Sequence, residues 1–114
     1  MHELALCQAI VDTVERHAGG RRVEQVDVRI GHFRQVVPDS LQFSWELLTE
    51  GTDLAGCRLV VDHVPAVIEC RTCASLTTLD DPIFRCAVCG SAETFVVSGD
   101  ELLVTSLDLT VDAI

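Results

Sequence analysis

Lysine is absent from the chain, whose positive charge rests on eight arginines set against 18 aspartates and glutamates, a formal net charge of -10. A surface of that sign repels phosphate backbones, and nucleic-acid binders carry a basic stripe whose Lys and Arg displace counterions. DNA and RNA are therefore not expected as partners, whereas protein or metal partners are favoured. Aromatic residues are scarce: Phe33, Phe43, Trp45, Phe84 and Phe95 are the only ones, so the core must be mainly aliphatic. No run approaches the ~20 apolar residues that cross a bilayer. The opening Met1-His2-Glu3-Leu4 has neither a positive n-region nor an apolar h-region. Neither a membrane span nor an export leader is expected, and the chain is expected to be cytoplasmic. A Ser/His/Asp or Cys/His set, a Gly-rich phosphate loop and a GTPase motif are also missing. No catalytic residue and no organic-cofactor site is assigned, and the chain is not expected to be an enzyme.

What is present points to a folded α+β protein. Apolar residues make up 48% of the 114 residues, enough for a core, and this length suits one unit or two very small ones. Leu4, Cys7, Val11, Val14 and Ala18, flanked by Ile10, recur at three- and four-residue steps, the stripe of an amphipathic helix that Gly19-Gly20 would end. Val26, Val28 and Ile30 alternate with Asp27 and Arg29, which predicts a strand with one buried face. Pro38-Asp39-Ser40 is a helix start, with Leu41, Trp45 and Leu48 on the apolar side and a stop at Gly51. Cys57 to Val64 reads as another strand. From about Ala66 the regular periods give way to close cysteine pairs, Thr and Asp clusters and Pro82, which predicts a loop-rich module. Thr94–Val97 and Glu101–Leu109 are again strand-like around a Ser98-Gly99-Asp100 turn. The last strand is expected to return to the first domain, which makes the cysteine module an insertion.

That module carries Cys70-Arg71-Thr72-Cys73 and Cys86-Ala87-Val88-Cys89, two CxxC pairs with 12 residues between them. Two intervening residues let both thiolates of a pair aim at one ion from a single turn, and two facing turns complete a tetrahedron. Four sulfurs leave no open position for water, so a zinc ion here would be structural. A rubredoxin-like iron uses the same four sulfurs and is the chemical competitor. Gly90 after the second pair suits such a turn better than Ala74 after the first.

The second informative feature is His2. The Met1 amine, the His2 amide nitrogen and the His2 imidazole Nδ1 can close two chelate rings in one plane, a nitrogen set that suits nickel(II) or copper(II) better than tetrahedral zinc. The fourth corner is open to Glu3 or to a partner. A histidine at position two is by itself most often a polar residue on a frayed terminus. Cys7 and Cys57 read as buried small hydrophobes. His17, His32 and His63 have no partner at ligand spacing, and Asp80-Asp81 reads as a solvated turn before Pro82.

Taken together, Met1-His2-Glu3-Leu4 before an amphipathic helix, Ile30-Gly31 leading through Val36 to Pro38, the Phe43, Leu47, Thr49 and Gly51 helix end, and the two CxxC pairs resemble the HypA/HybF family. These are nickel metallochaperones of [NiFe]-hydrogenase maturation. The resemblance runs from Met1 to the strand near Leu109. It implies a two-helix, three-stranded-sheet nickel domain over 1–65 plus 99–114, with a four-cysteine zinc-ribbon-like domain inserted over 66–98. It implies nickel at Met1, His2 and Glu3, and zinc at Cys70, Cys73, Cys86 and Cys89. It further implies a HypB-type GTPase and the hydrogenase large subunit as partners, with urease served in some organisms, and a monomer or homodimer. A zinc-ribbon adaptor that carries no metal cargo is the alternative.

Overall fold

The computed structural model describes residues 2–110. Helix α1 spans His2–Ala18, strand β1 Val23–Gly31, a single 3-10 turn His32–Arg34, and helix α2 Pro38–Thr49. Strands β2 (Arg58–Val64), β3 (Ala66–Cys70), β4 (Leu76–Leu79), β5 (Thr94–Ser98) and β6 (Leu102–Leu109) follow. Among the described residues no helix is long and apolar enough to cross a membrane. The strands form two three-stranded sheets, β2-β1-β6 and β4-β3-β5, so the α+β class expected from the periodicities is what the chain builds. Contacts divide the described residues into two units, one of 2–29, 36–62 and 103–110, the other of 30–35 and 63–102.

The first unit packs both helices with the first sheet. On α1 the buried residues are Leu6, Cys7, Ile10, Val11, Val14 and Ala18. The stripe is thus the expected one except at its start, where Leu6 is covered and Leu4 only half so. The Cys7 thiol donates to the Leu41 carbonyl at 3.5 Å, joining α1 to α2. Pro38 sits at the start of α2, where a missing N–H costs nothing, and Leu41 and Trp45 are its core residues. Buried Trp45 donates its indole N–H to the Cys57 carbonyl at 2.9 Å, which satisfies the one polar atom of the largest core side chain. In β1, Val23, Val26, Val28 and Ile30 are all buried. Strand β6 lies beside β1 as its returning partner. Arg22 O accepts from Thr110 N at one end and Glu101 O from Gly31 N at the other, so these two strands run antiparallel.

The second unit is more regular than a loop-rich module. Strand β3 pairs antiparallel with β4 on one side and β5 on the other, with a register irregularity between Val67 and Ile68. Its burial alternates, with Ala66, Ile68 and Cys70 covered. Ala66, Ile68 and Leu79 form the small core, with Phe33 packed against it. Phe33 in turn stacks on Phe84, centroids 5.5 Å apart. Gly31 and Gly99 are backbone crossing points: a Cβ on Gly31 would collide with the Gly99 carbonyl, and one on Gly99 would lie 2.6 Å from the Ala66 Cα. The Ile30-Gly31 pair noted in the sequence thus marks a place where two backbones touch.

Candidate metal centre

Strand β3 ends on Cys70, and the chain then turns back on itself through Cys73 before β4. The turn is closed by Ala74 N–H to Cys70 O at 2.9 Å and Cys70 N–H to Ser75 O at 3.0 Å. The second pair repeats this wiring, with Gly90 N–H to Cys86 O at 3.0 Å and Cys86 N–H to Ser91 O at 2.9 Å. In each turn the first sulfur accepts two backbone N–H groups. Cys70 Sγ takes those of Thr72 and Cys73, both at 3.4 Å. Cys86 Sγ takes those of Val88 at 3.4 Å and Cys89 at 3.5 Å. This is why two intervening residues suffice: the same turn that aims the thiolates also solvates one of them.

Both turns need a left-handed residue in the fifth position, filled by Ala74 at φ 63° and Gly90 at φ 76°. For alanine that conformation costs ~1 to 2 kcal/mol, and for glycine almost nothing. The departure from glycine at position 74 therefore carries a definite strain while leaving the sulfurs in place.

The four sulfur atoms all lie within 4.8 Å of one another. The cross-pair distances Cys70–Cys89 and Cys73–Cys86 are both 3.6 Å. An ion with four sulfurs at ~2.3 Å in a tetrahedron has sulfur–sulfur edges of ~3.8 Å, so the residues fit a tetrahedral ion with little adjustment. Their electrostatics agree. The Cys73 N–H, helped by that of Thr72 and the neighbouring sulfurs and opposed by desolvation, holds the Cys70 thiol down to about 6. The N–H groups of Cys89 and Val88 likewise lower Cys86. Cys89 is pushed up to about 12, its backbone hydrogen bond at Ser91 being outweighed by the Cys70 sulfur, burial and the other two sulfurs. A cation drawn into the cluster takes the place of the protons that these thiols share.

The amino terminus is simpler. His2 is the exposed first residue of α1, and Glu3 is half-buried behind it. The Glu3 carboxylate accepts the Val37 N–H at 3.4 Å, just ahead of α2, so it is tied to the helix pair. Met1 lies outside the described residues, and of the expected nickel set only His2 and Glu3 are placed. The N–H groups of a first helical turn have no acceptor within the helix, and its dipole favours negative charge there. Both features suit a backbone nitrogen that gives up its proton to a metal.

Cys7 and Cys57 are buried, as expected of small hydrophobes. Burial, then the Glu3 carboxylate, pushes the Cys7 thiol up to about 11, and burial raises Cys57 against the pull of Arg22 and Arg58. His17 is held by the Thr13 carbonyl at 2.8 Å. The expectation that His32 and His63 lack partners is corrected by the fold, which places His32 Nδ1 3.2 Å from His63 Nε2. They are 31 residues apart, one just after β1 and one near the end of β2, strands that are neighbours in the sheet. The pairing of these two strands, which the sequence does not show, goes with the meeting of the rings.

An α+β unit and a small β-sheet unit organised round four convergent thiols make this a small metal-binding protein. The family model described as hydrogenase/urease nickel incorporation, metallochaperone, hypA matches residues 1–109. The hydrogenase maturation factor HypA of Geobacter metallireducens is 40% identical over 109 residues, covering 96% of this chain and 99% of that one. The factor of the same name from Trichodesmium erythraeum is 33% identical and covers 96% of both chains. The chain belongs to the HypA family. Its fold is also that of a solution structure of the Ni metallochaperone HypA from Helicobacter pylori, with a TM-score of 0.68 at 20% identity over 98% of this chain and 100% of that one.

Proposed function

We propose that this chain carries Ni(II) at its amino terminus, bound by the Met1 amine, the His2 amide nitrogen and imidazole Nδ1, with Glu3 at or beside the fourth corner, and delivers it for [NiFe]-hydrogenase maturation. A zinc ion held by Cys70, Cys73, Cys86 and Cys89 keeps the second unit folded. Its contribution is structural, because four sulfurs fill its shell. The functional parts are then a discontinuous nickel domain, 1–65 plus 99–114, and a zinc domain, 66–98. The observation that carries the reading is the family match that runs from residue 1 and takes in His2 at the exposed start of α1. A zinc-ribbon adaptor without cargo is not favoured, since the matching family is one of nickel incorporation.

Carriage requires a site that can let go. Three nitrogens at a chain terminus leave one corner to an exchangeable group, so an incoming ligand on the acceptor can enter there and displace the others in turn. Glu3, anchored through its hydrogen bond with Val37 N–H, ties the terminus to α2. A HypB-type GTPase and the hydrogenase large subunit are the proposed partners, urease a further acceptor, and the cytoplasm the compartment. The net charge of -10 attracts free cations and keeps the carrier from nucleic acid.

The test is metal counting on protein with its native first residue. Wild type should bind one Ni(II) beyond its zinc. His2→Ala, or a peptide extension ahead of Met1, should abolish nickel binding and leave zinc content unchanged. Stoichiometric nickel in either variant would contradict the assignment.

A further inference from the structure

We propose that His32 and His63 form a second transition-metal site, in which His32 Nδ1 and His63 Nε2 bind one divalent ion of the nickel-to-zinc group and water completes its shell. The proposal goes beyond the terminal site and does not rest on it. Two nitrogens bound at ~2.05 Å to one ion lie ~2.9 Å apart at a right angle and ~3.3 Å apart at a tetrahedral angle. The observed separation is 3.2 Å, so the nitrogens already stand at the spacing that a shared ion demands.

The second observation concerns the far side of His32. Its Nε2 lies 2.7 Å from the Asp80 carbonyl oxygen. A carbonyl only accepts, so Nε2 carries the hydrogen, and in the neutral ring Nδ1 is left with a lone pair aimed at His63. A ligand histidine is ordinarily fixed in this way, its other ring nitrogen donating to a carbonyl or carboxylate that sets tautomer and orientation. The rings meet edge to face, with centroids 5.2 Å apart and planes at 86°. Half-buried His32 is thus a preset ligand, while exposed His63 is free to rotate its ring toward the ion.

Without an ion, His63 Nε2–H donates to His32 Nδ1. When an ion enters, the single proton of neutral His63 moves through solvent from Nε2 to Nδ1, and both facing nitrogens present lone pairs with no net proton released. Among the described residues no third histidine, cysteine or carboxylate joins the pair. The ion would accordingly bind more weakly than at the four thiolates and keep positions open to a further ligand. Imidazole nitrogen suits nickel, copper and zinc and disfavours magnesium and calcium.

The test uses His2→Ala protein with its tetrathiolate zinc-loaded, so that the terminal chelate is absent and its failure cannot be confused with that of this pair. Titration with nickel chloride and with zinc chloride, followed by calorimetry, should show one further equivalent. Adding His32→Ala or His63→Ala should weaken it at least tenfold, and adding His17→Ala should not. With zinc, imidazole nitrogen NMR should show His32 Nδ1 and His63 Nε2 shifting together while His32 Nε2 stays protonated. Circular dichroism checks that each variant is folded, and exposed His63 supplies the arm least able to disturb the core. No further equivalent in the His2→Ala protein, or an affinity unmoved by both histidine replacements, would show the contact to be a hydrogen bond only and overturn the proposal.

Discussion

The first turn of α1 and the paired turns of the second unit solve opposite problems with similar economy. At the cysteine turns every proposed ligand comes from a closed backbone loop, each first sulfur is fixed by two N–H groups, and four thiolates would saturate a tetrahedral ion. At the amino terminus the proposed donors include exposed His2, followed by Glu3, whose carboxylate accepts the Val37 N–H. If the proposed assignments hold, the difference teaches that retention and release follow from how many ligands a fold closes around an ion, more than from ligand strength alone. On the proposed assignments, zinc stays because it is part of the fold, and nickel leaves because it is not.

That contrast breaks most visibly at the cysteines. Cys73→Ser should empty the zinc site and unfold the second unit, since structural zinc in small domains contributes ~10 to 16 kcal/mol of folding energy. Elemental analysis should find zinc lost, and amide exchange should find protection lost in β3, β4 and β5 while α1 keeps its own. Nearly as severe should be Gly31→Ala, which drives a methyl group into the Gly99 carbonyl and should cost ~3 kcal/mol or more in chemical denaturation.

A smaller effect separates the buried thiols from the ligand thiols. The Cys7 thiol stands at about 11 against an ordinary 9.0. As pH rises past 9, the unfolded chain ionises first while the native thiol keeps its proton. Stability is therefore complete below pH 9 and falls as pH climbs from 9 toward 11. Cys7→Ala should flatten that fall in denaturation midpoints measured across this range, and an unchanged slope would show that the thiol is not its source. Smallest of all, Ala74→Gly should relieve the left-handed strain at φ 63°. Part of the relief is offset by the greater freedom of glycine in the unfolded chain, leaving ~0.5 to 1 kcal/mol of gain. Gly90→Ala should shift thermal stability the other way.

Legibility in the sequence tracked the range of the interactions involved. The cysteine turns are local: spacing alone named all four sulfurs that the fold brings together, and the residue after each pair already pointed to the left-handed position. Helix α1 was readable because its stripe repeats over several turns, and only its first apolar contact moved, from Leu4 to Leu6. Strands β3 and β4 are not legible in the sequence. Five and four residues long, they are too short for a period to stand out beside Pro65 and the cysteines, and their pairing is a tertiary matter. The His32–His63 contact is hidden for the same reason, since it joins residues 31 apart, one just after β1 and one near the end of the neighbouring strand β2. His2 gained meaning only from the family pattern, because a single imidazole at a chain end has no periodicity to betray it.

The central claim is that one chain holds a labile nitrogen-bound nickel and a permanent sulfur-bound zinc. It is tested most directly by loading native-start protein with Ni(II), challenging it with a competing chelator, and following both metals over time. One equivalent of nickel, with the d–d absorption of a planar nitrogen site, should leave rapidly while the zinc count stays at one. Nickel that departs only together with zinc, or that enters by displacing it from the thiolates, would contradict the account.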